Sequence, residues 1–196
     1  MVGSLTNNVI YSFFINKYNM LFVGTADALN IADLSRQSGD IAVPLYTETA
    51  GNNKKLSHLD DTIACLASSD NCIWAASNNI LVRYNFNEPE PEEFPVTMGK
   101  NEVNGAIIYS ISVVNDTKAW IGTNKGLFFF DSTTASFTPI SLYNNRISDT
   151  SSFLVRAIYH DPDGTLWIGT YGAGLIHFSL VKGILPQYRH SDAPRS

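Results

Sequence analysis

Charge is what this chain has least of. Charged residues make up 16% of its 196 residues, against about a quarter in an average soluble domain. The 13 Lys and Arg are scattered and outnumbered by 18 Asp and Glu, giving a net charge of −5. The basic patch on which nonspecific nucleic-acid binding depends is therefore missing, and DNA and RNA are not expected partners. Cysteine is also scarce. Cys65 and Cys72 are too few for a disulfide scaffold. With a hairpin turn at 68–71, Cys65 would face Trp74 and Cys72 would face Ala67, so free thiols are expected. No apolar run approaches the roughly 18 residues of a membrane span, and no basic segment followed by a hydrophobic stretch opens the chain, so direct membrane contact is not expected. No segment keeps a helical period over ten or more residues.

What is present is apolar and aromatic, 44% and 12% of the residues. It recurs. Four β-rich stretches end in an aromatic residue, two small or apolar residues and a hydroxyl: Phe22-Val23-Gly24-Thr25, Trp74-Ala75-Ala76-Ser77, Trp120-Ile121-Gly122-Thr123 and Trp167-Ile168-Gly169-Thr170. The aromatics are 52, 46 and 47 residues apart, the length of a four-stranded sheet with its connections, which predicts the blades of a β-propeller. An open sandwich of the same hairpins is the alternative. Recurrence of an aromatic at one blade position favours radial repetition.

The clearest copy begins with an apolar strand at 154–159, turns through His160-Asp161-Pro162-Asp163-Gly164, and returns along Thr165 to Thr170. It turns again at Tyr171-Gly172-Ala173-Gly174 into a strand at 175–178, with a weaker fourth at 185–189. Pro sets φ early in the first turn and Gly supplies the positive φ at its end. The other copies read as strands at 107–114, 119–123, 127–130 and 136–140; at 62–66, 72–76, 80–84 and 94–97; and at 9–15, 20–25, 29–32 and 41–46. The whole chain, 1–196, is one all-β propeller region with four-stranded blades at about 1–47, 58–98, 104–143 and 150–190. One such sheet has two partly apolar faces and is stable only when stacked on neighbours.

The run Asp161-Pro162-Asp163-Gly164-Thr165-Leu166-Trp167-Ile168-Gly169-Thr170, followed by Gly172-Ala173-Gly174-Leu175, resembles the two-component regulator propeller repeat. Ala119-Trp120-Ile121-Gly122-Thr123 with Gly126-Leu127 is a second good match, and Ser4-Leu5-Thr6-Asn7-Asn8-Val9 is similar to the connection leading into a new repeat. Copies one and two depart from the pattern: Phe22 stands for Trp, Ala28 for Gly, and Ala75-Ala76-Ser77 for Ile-Gly-Thr. The resemblance implies the extracytoplasmic sensor of a hybrid two-component histidine kinase, tethered to the inner membrane in the parent protein and responding to oligosaccharides. No kinase residue of such a parent falls in this chain. Both termini lie in linkers between repeats. Such sensors usually carry more blades, so the expectation is an excerpt, half of an eight-bladed ring completed by a second chain, or a closed four-bladed ring. Open blade edges would be sites of self-association.

The candidate chemistry is sparse. His58, His160, His177 and His190 sit on different elements with no two at ligand spacing, so no metal site is expected. Asp161-x-Asp163-Gly164 lacks the later ligands of a calcium loop, and the glycines at 169, 172 and 174 precede no helix that would hold a phosphate. No cofactor is expected. Asn115-Asp116-Thr117 is a glycosylation sequon that also reads as a turn. Glu88, Glu90, Glu92 and Glu93 read as a solvated connection. The loops between strands four and one and between strands two and three share one propeller face, which would gather Asn8, Asp27, Asp61, Asn79, Asn104, Asn124, Lys125, Arg156 and Tyr171 around a central opening. Polar groups with an aromatic on rigid strands suit sugar or peptide recognition, although Asn and Asp are expected in such turns on backbone grounds alone. The expected function is a non-enzymatic sensor propeller. A scaffold mediating dimerisation and a propeller-type lyase are the alternatives.

Overall fold

A computed structural model describes residues 5–35, 43–44, 62–88, 90–98, 101–102, 105–142 and 153–189. His58, Asp61, Asn104, His190 and the linker at 47–57 lie outside the described residues. The first sheet comprises β1 (Ile10–Ile15), β2 (Met20–Thr25), β3 (Leu29–Asp33) and β4 (Val43–Pro44). The second comprises β5 (Cys65–Ser68), β6 (Cys72–Ser77), β7 (Ile80–Asn85) and β8 (Glu92–Pro95). A small hairpin, β9 (Thr97–Met98) and β10 (Asn101–Glu102), follows. The third sheet has β11 (Ile108–Asn115), β12 (Lys118–Thr123), β13 (Gly126–Asp131) and β14 (Ser136–Ile140), and the fourth β15 (Leu154–His160), β16 (Leu166–Tyr171), β17 (Gly174–Ser179) and β18 (Gly183–Tyr188). Each four-stranded sheet is an antiparallel meander in chain order, the blade of a β-propeller.

Each position of the recurring motif has a separate physical task. The aromatic packs between sheets: Trp74 meets Phe130 of the third sheet edge to face at 5.9 Å and is fully buried. The terminal hydroxyl closes the turn between the second and third strands, since Thr25, Thr123 and Thr170 each donate to the carbonyl that ends that turn, Ala28, Gly126 and Gly174, at 2.8–3.0 Å. The glycine is a notch. A methyl group on Gly24 would lie 2.7 Å from the Ile63 carbonyl of the second sheet, and one on Gly122 would lie 2.7 Å from Val155 Cγ1 of the fourth. The inner strand of each following sheet inserts a β-branched residue there.

The sheets thus pack in sequence, with β1 beside β5, β5 beside β11, and β11 beside β15. Three apolar cores fill the three joins. Among the described residues the extensive contacts run from each sheet to the next in chain order, so the four blades follow one another as an arc. Phe13 of β1 is 71% exposed and Tyr159 of β15 is 59% exposed on the two end faces.

The second sheet differs from the sequence reading in its pairing and its strand bounds, with β5 at Cys65–Ser68 and not 62–66. Ser69 N–H donates to the Cys72 carbonyl at 3.0 Å, which tightens the hairpin around residues 70–71, so Cys65 pairs with Ala76 and Trp74 with Ala67. Both thiols are free, and burial pushes that of Cys65 up to about 12 and raises that of Cys72 as well. The fourth strand of the second sheet begins two residues early, at Glu92, because Glu92 pairs with Arg83 across β7 and β8.

The notch can be tested by contrast. Gly122→Ala should cost about 1–3 kcal/mol of unfolding free energy, because its methyl would collide with Ser110 of its own sheet and with Val155 of the fourth. Gly169→Ala should change stability by less than about 1 kcal/mol, because its methyl would meet only Ala157 of its own sheet, at 3.4 Å. Equal losses in urea denaturation would sink the distinction.

Candidate functional site

Three of the four inner strands break register at the same step. Ile10 pairs with Thr25 and Ser12 with Gly24, Ile108 with Thr123 and Ser110 with Gly122, and Val155 with Thr170 and Ala157 with Gly169. The extra residues are Tyr11, Tyr109 and Arg156. A β-bulge re-aims the side chain it carries, and the inner strands face one another around the axis of the arc. Arg156 lies with its guanidinium carbon 4.0 Å from the centroid of the Tyr109 ring, a cation–π contact that spans the gap between β11 and β15. The guanidinium is thus held over an aromatic face while its own surface remains exposed.

Arg156 is the sequence candidate that the structure sets in a distinctive place. Tyr171, at the end of β16, is 75% exposed on the same face. Lys125, with Leu127, Ile140, Leu142 and Phe153, borders a shallow cavity of about 280 Å³. The other described candidates serve turns. Asn124 accepts from Ile107 N–H and donates to the Gly105 carbonyl, both at 2.8 Å, so both ends of its amide clamp the chain entering the third sheet. Asp27 accepts from Asn7 at 2.9 Å, and the Asn79 carbonyl receives Val96 N–H at 2.8 Å. Asn8 is exposed in the lead-in to β1. Sequence reasoning missed Tyr11 and Tyr109. The signal was present, because the pairs Ile10-Tyr11, Ile108-Tyr109 and Val155-Arg156 each put the re-aimed residue directly after a β-branched one.

A second concave region lies between the first two sheets at the opposite end of the strands. Tyr18, Phe22, Tyr84 and Phe86, with Asn16 and Asn71, line a groove of about 480 Å³. Tyr84 and Phe86 meet edge to face at 5.9 Å.

That end also carries the polar network joining sheets two and three. Arg83 is buried; it pairs with Glu92 at 2.6 Å and donates to the Asp116 carbonyl at 2.9 Å and the Ser132 hydroxyl at 3.1 Å. Asn71 donates to the Asp116 carboxylate through its backbone N–H at 3.2 Å and its amide at 2.8 Å. The nearby Ser69 hydroxyl, then the hydrogen bonds from Asn71 and the Arg83 charge, hold the Asp116 carboxyl below its ordinary value against an opposing desolvation. Within the expected sequon, Asn115 Oδ1 accepts from Thr117 N–H at 2.9 Å and from its hydroxyl at 3.0 Å, which makes the segment a turn. Asp163 is occupied likewise, accepting from Thr165 N–H at 2.8 Å and from its hydroxyl at 2.6 Å. Among the described residues no three His, Cys, Asp or Glu side chains converge as a metal-ligand set.

The arc of radially packed meanders defines a β-propeller, and known proteins agree. Extracellular domains assigned to a hybrid two component system and to a one component system of B. thetaiotaomicron superpose with TM-scores of 0.67 and 0.65 at 19% and 17% identity. They cover 96% and 98% of this chain, which spans only 23% and 24% of theirs. An ancestral GH74 enzyme shares the fold at 16% identity with a TM-score of 0.62, over 91% of this chain and 25% of its own. Residues 150–172, the core of the fourth blade, match the two component regulator propeller family. Histidine kinase P4 of Formosa agariphila is 25% identical over 170 residues, covering 85% of this chain, which spans 12% of that kinase's length.

Asp116→Asn should lower stability at neutral pH by about 1 kcal/mol, a figure reduced by solvent screening at a partly exposed site. Because the folded carboxyl is depressed, its contribution is present above the unfolded value of about 3.9 and disappears as pH falls through the folded one. Urea midpoints of wild type and variant should therefore differ at pH 7 and converge in acid; a gap that persists in acid would count against the carboxylate.

Proposed function

We propose that this chain is a non-enzymatic part of the extracytoplasmic sensing region of a two-component signalling protein, and that it binds an oligosaccharide at the bulged inner strands. The regulator propeller match in the fourth blade and the similarity to a histidine kinase support the signalling context. The observation that carries the ligand reading is the Arg156–Tyr109 pair on two aligned bulges. A sugar presents an apolar face that stacks on an aromatic ring and hydroxyls that accept from a guanidinium, and a rigid pair of such groups lowers the ordering cost of binding. Tyr171 and Tyr11 extend the same face. A lyase of the propeller type would need a concentrated His, Glu and metal set at one face, and Arg156, Tyr109, Tyr171 and Tyr11 include no His, Asp or Glu. The aromatic groove of Tyr18, Tyr84 and Phe86 is the second reading, favoured by its concavity.

Titration calorimetry of the full chain against a panel of neutral and acidic oligosaccharides tests the proposal. At least one member should give saturable heat, weakened about tenfold or more by Arg156→Ala and unchanged by Tyr18→Ser. The reverse pattern moves the ligand to the groove. Silence across the panel rejects direct binding and leaves the scaffold reading.

A further inference from the structure

The three joins between sheets are not equally filled. In each of the first three sheets the recurring aromatic has a cross-strand partner on the third strand, and the pair occupies the wide part of the join that follows. In the third sheet the pair is Trp120 and Phe129, whose ring centroids are 4.7 Å apart. In the second it is Trp74 and Arg83, and the Arg83 guanidinium crosses to the Asp116 carbonyl and the Ser132 hydroxyl of the third sheet. In the first it is Phe22 and Ile31, the smallest of the three pairs. The groove of about 480 Å³ lies at that point, with Phe22 and Ile31 on one wall and Tyr84 and Phe86, in and just after β7, on the other. Both walls belong to an internal join, and the volume is that of a small-molecule site.

The chemistry of the lining limits what fits. Phe22 and Phe86 are 6.2 Å apart with their rings inclined at 32°, and Tyr84 meets Phe86 at 72°, so the walls offer aromatic faces and edges to a flat guest. No lining residue is charged, and Lys17, 5.4 Å from the centroid of the bordering Tyr18 ring, is matched by Asp70 at 2.9 Å. A charged guest would lose its water with no counter-charge to meet it. One polar group is left over. Asn16 lines the groove and is only 8% exposed. Its Oδ1 accepts from the backbone N–H groups of Tyr18 and Met20, both at 3.0 Å, whereas its Nδ2 has no partner among the described residues. A buried donor without an acceptor is costly, and a guest's acceptor removes that cost. A sugar brings several hydroxyls to this one buried donor, whereas a flat ring with a single acceptor matches it.

We propose that the groove is a binding site for an uncharged planar ring compound carrying a hydrogen-bond acceptor. The ring takes the space that the Phe22–Ile31 pair leaves open, and the acceptor receives Asn16 Nδ2. The site is separate from the bulged inner strands, and calorimetric silence toward oligosaccharides there leaves it standing.

Acetophenone, a neutral ring with one carbonyl acceptor and no donor, is the probe, titrated into the full chain and followed by saturation-transfer NMR. It should saturate with a Kd of about 1 mM. Benzoate, a charged compound of the same shape, should bind about tenfold more weakly or worse. Phe22→Trp, which gives the first sheet the ring that the second and third already carry, should weaken acetophenone about tenfold or more while keeping the wild-type circular dichroism spectrum. If that variant fails to fold, Ile31→Phe fills the same space. Asn16→Asp keeps the acceptor that the turn uses and removes the donor, and should weaken acetophenone about fivefold or more. No saturation up to about 20 mM, benzoate binding as tightly as acetophenone, or an affinity untouched by the filling variant or by Asn16→Asp would overturn the proposal. Displacement of acetophenone by methyl β-D-glucopyranoside would overturn it too, and would give the groove to a sugar.

Discussion

The whole array depends on one close approach, the entry of a β-branched side chain and its backbone into a site where the preceding sheet has no side chain. Sheets stacked face to face ordinarily lie about 10 Å apart. In a propeller the inner strands crowd toward the axis, and a side chain at the notch would collide there, as the 2.7 Å approaches to Gly24 and Gly122 show. Outward from the axis the gap widens, and there the motif places its largest residue. Trp74 and Trp120, with Phe22, fill that wedge and are buried. A small residue inside and an aromatic outside are two solutions to one taper, and they lie two residues apart because alternate positions of one strand share a face.

The inner strands have a second task that conflicts with the first. A regular strand alternates its side chains between the two faces, so an unbroken β15 would direct every residue toward one neighbouring sheet or the other. The bulge adds a residue that belongs to neither face. Arg156 and Tyr109 occupy such positions, which frees them from packing without loosening the strands that hold them. The second sheet, whose inner strand keeps its register, has only Ala64 at the corresponding place in the sequence. The rim is therefore chemically uneven around the axis, with its cation and aromatic concentrated between the third and fourth sheets.

Much of the fold was legible because packing tasks repeat. The aromatic steps located all four blades, and strands such as Met20–Thr25 and Ser136–Ile140 were placed to the residue. The pairing of β5 with β6 was not, since its offset is set by a backbone bond from Ser69 to Cys72 that composition does not encode. The β9–β10 hairpin was missed because two-residue strands leave no periodicity. The candidate site was only partly legible. Arg156 stood out as a charge at the start of an inner strand, but Tyr109 looked like an ordinary strand aromatic until the register break set it beneath the guanidinium. Asn124 had the opposite fate: a polar residue at a loop tip whose amide is used at both ends to hold the chain.

The scarcity of charge follows from the same geometry. When both faces of a sheet are covered by neighbours, its turns reach water and take charge readily, as in the Lys17–Asp70 pair at 2.9 Å, while a charge inside a sheet such as the buried Arg83 must be matched, here by Glu92 and the Asp116 carbonyl. Terminal units of a repeat array normally depart from this rule, carrying a polar outer face that lets them end in solvent. The first and fourth sheets do not depart from it. Ile10, Phe13 and Ile15 at one end, and Tyr159, Trp167 and Leu175 at the other, are the residues of an interior sheet. Their composition matches that of the residues packed inside the three joins, so one apolar pattern recurs on all four sheets.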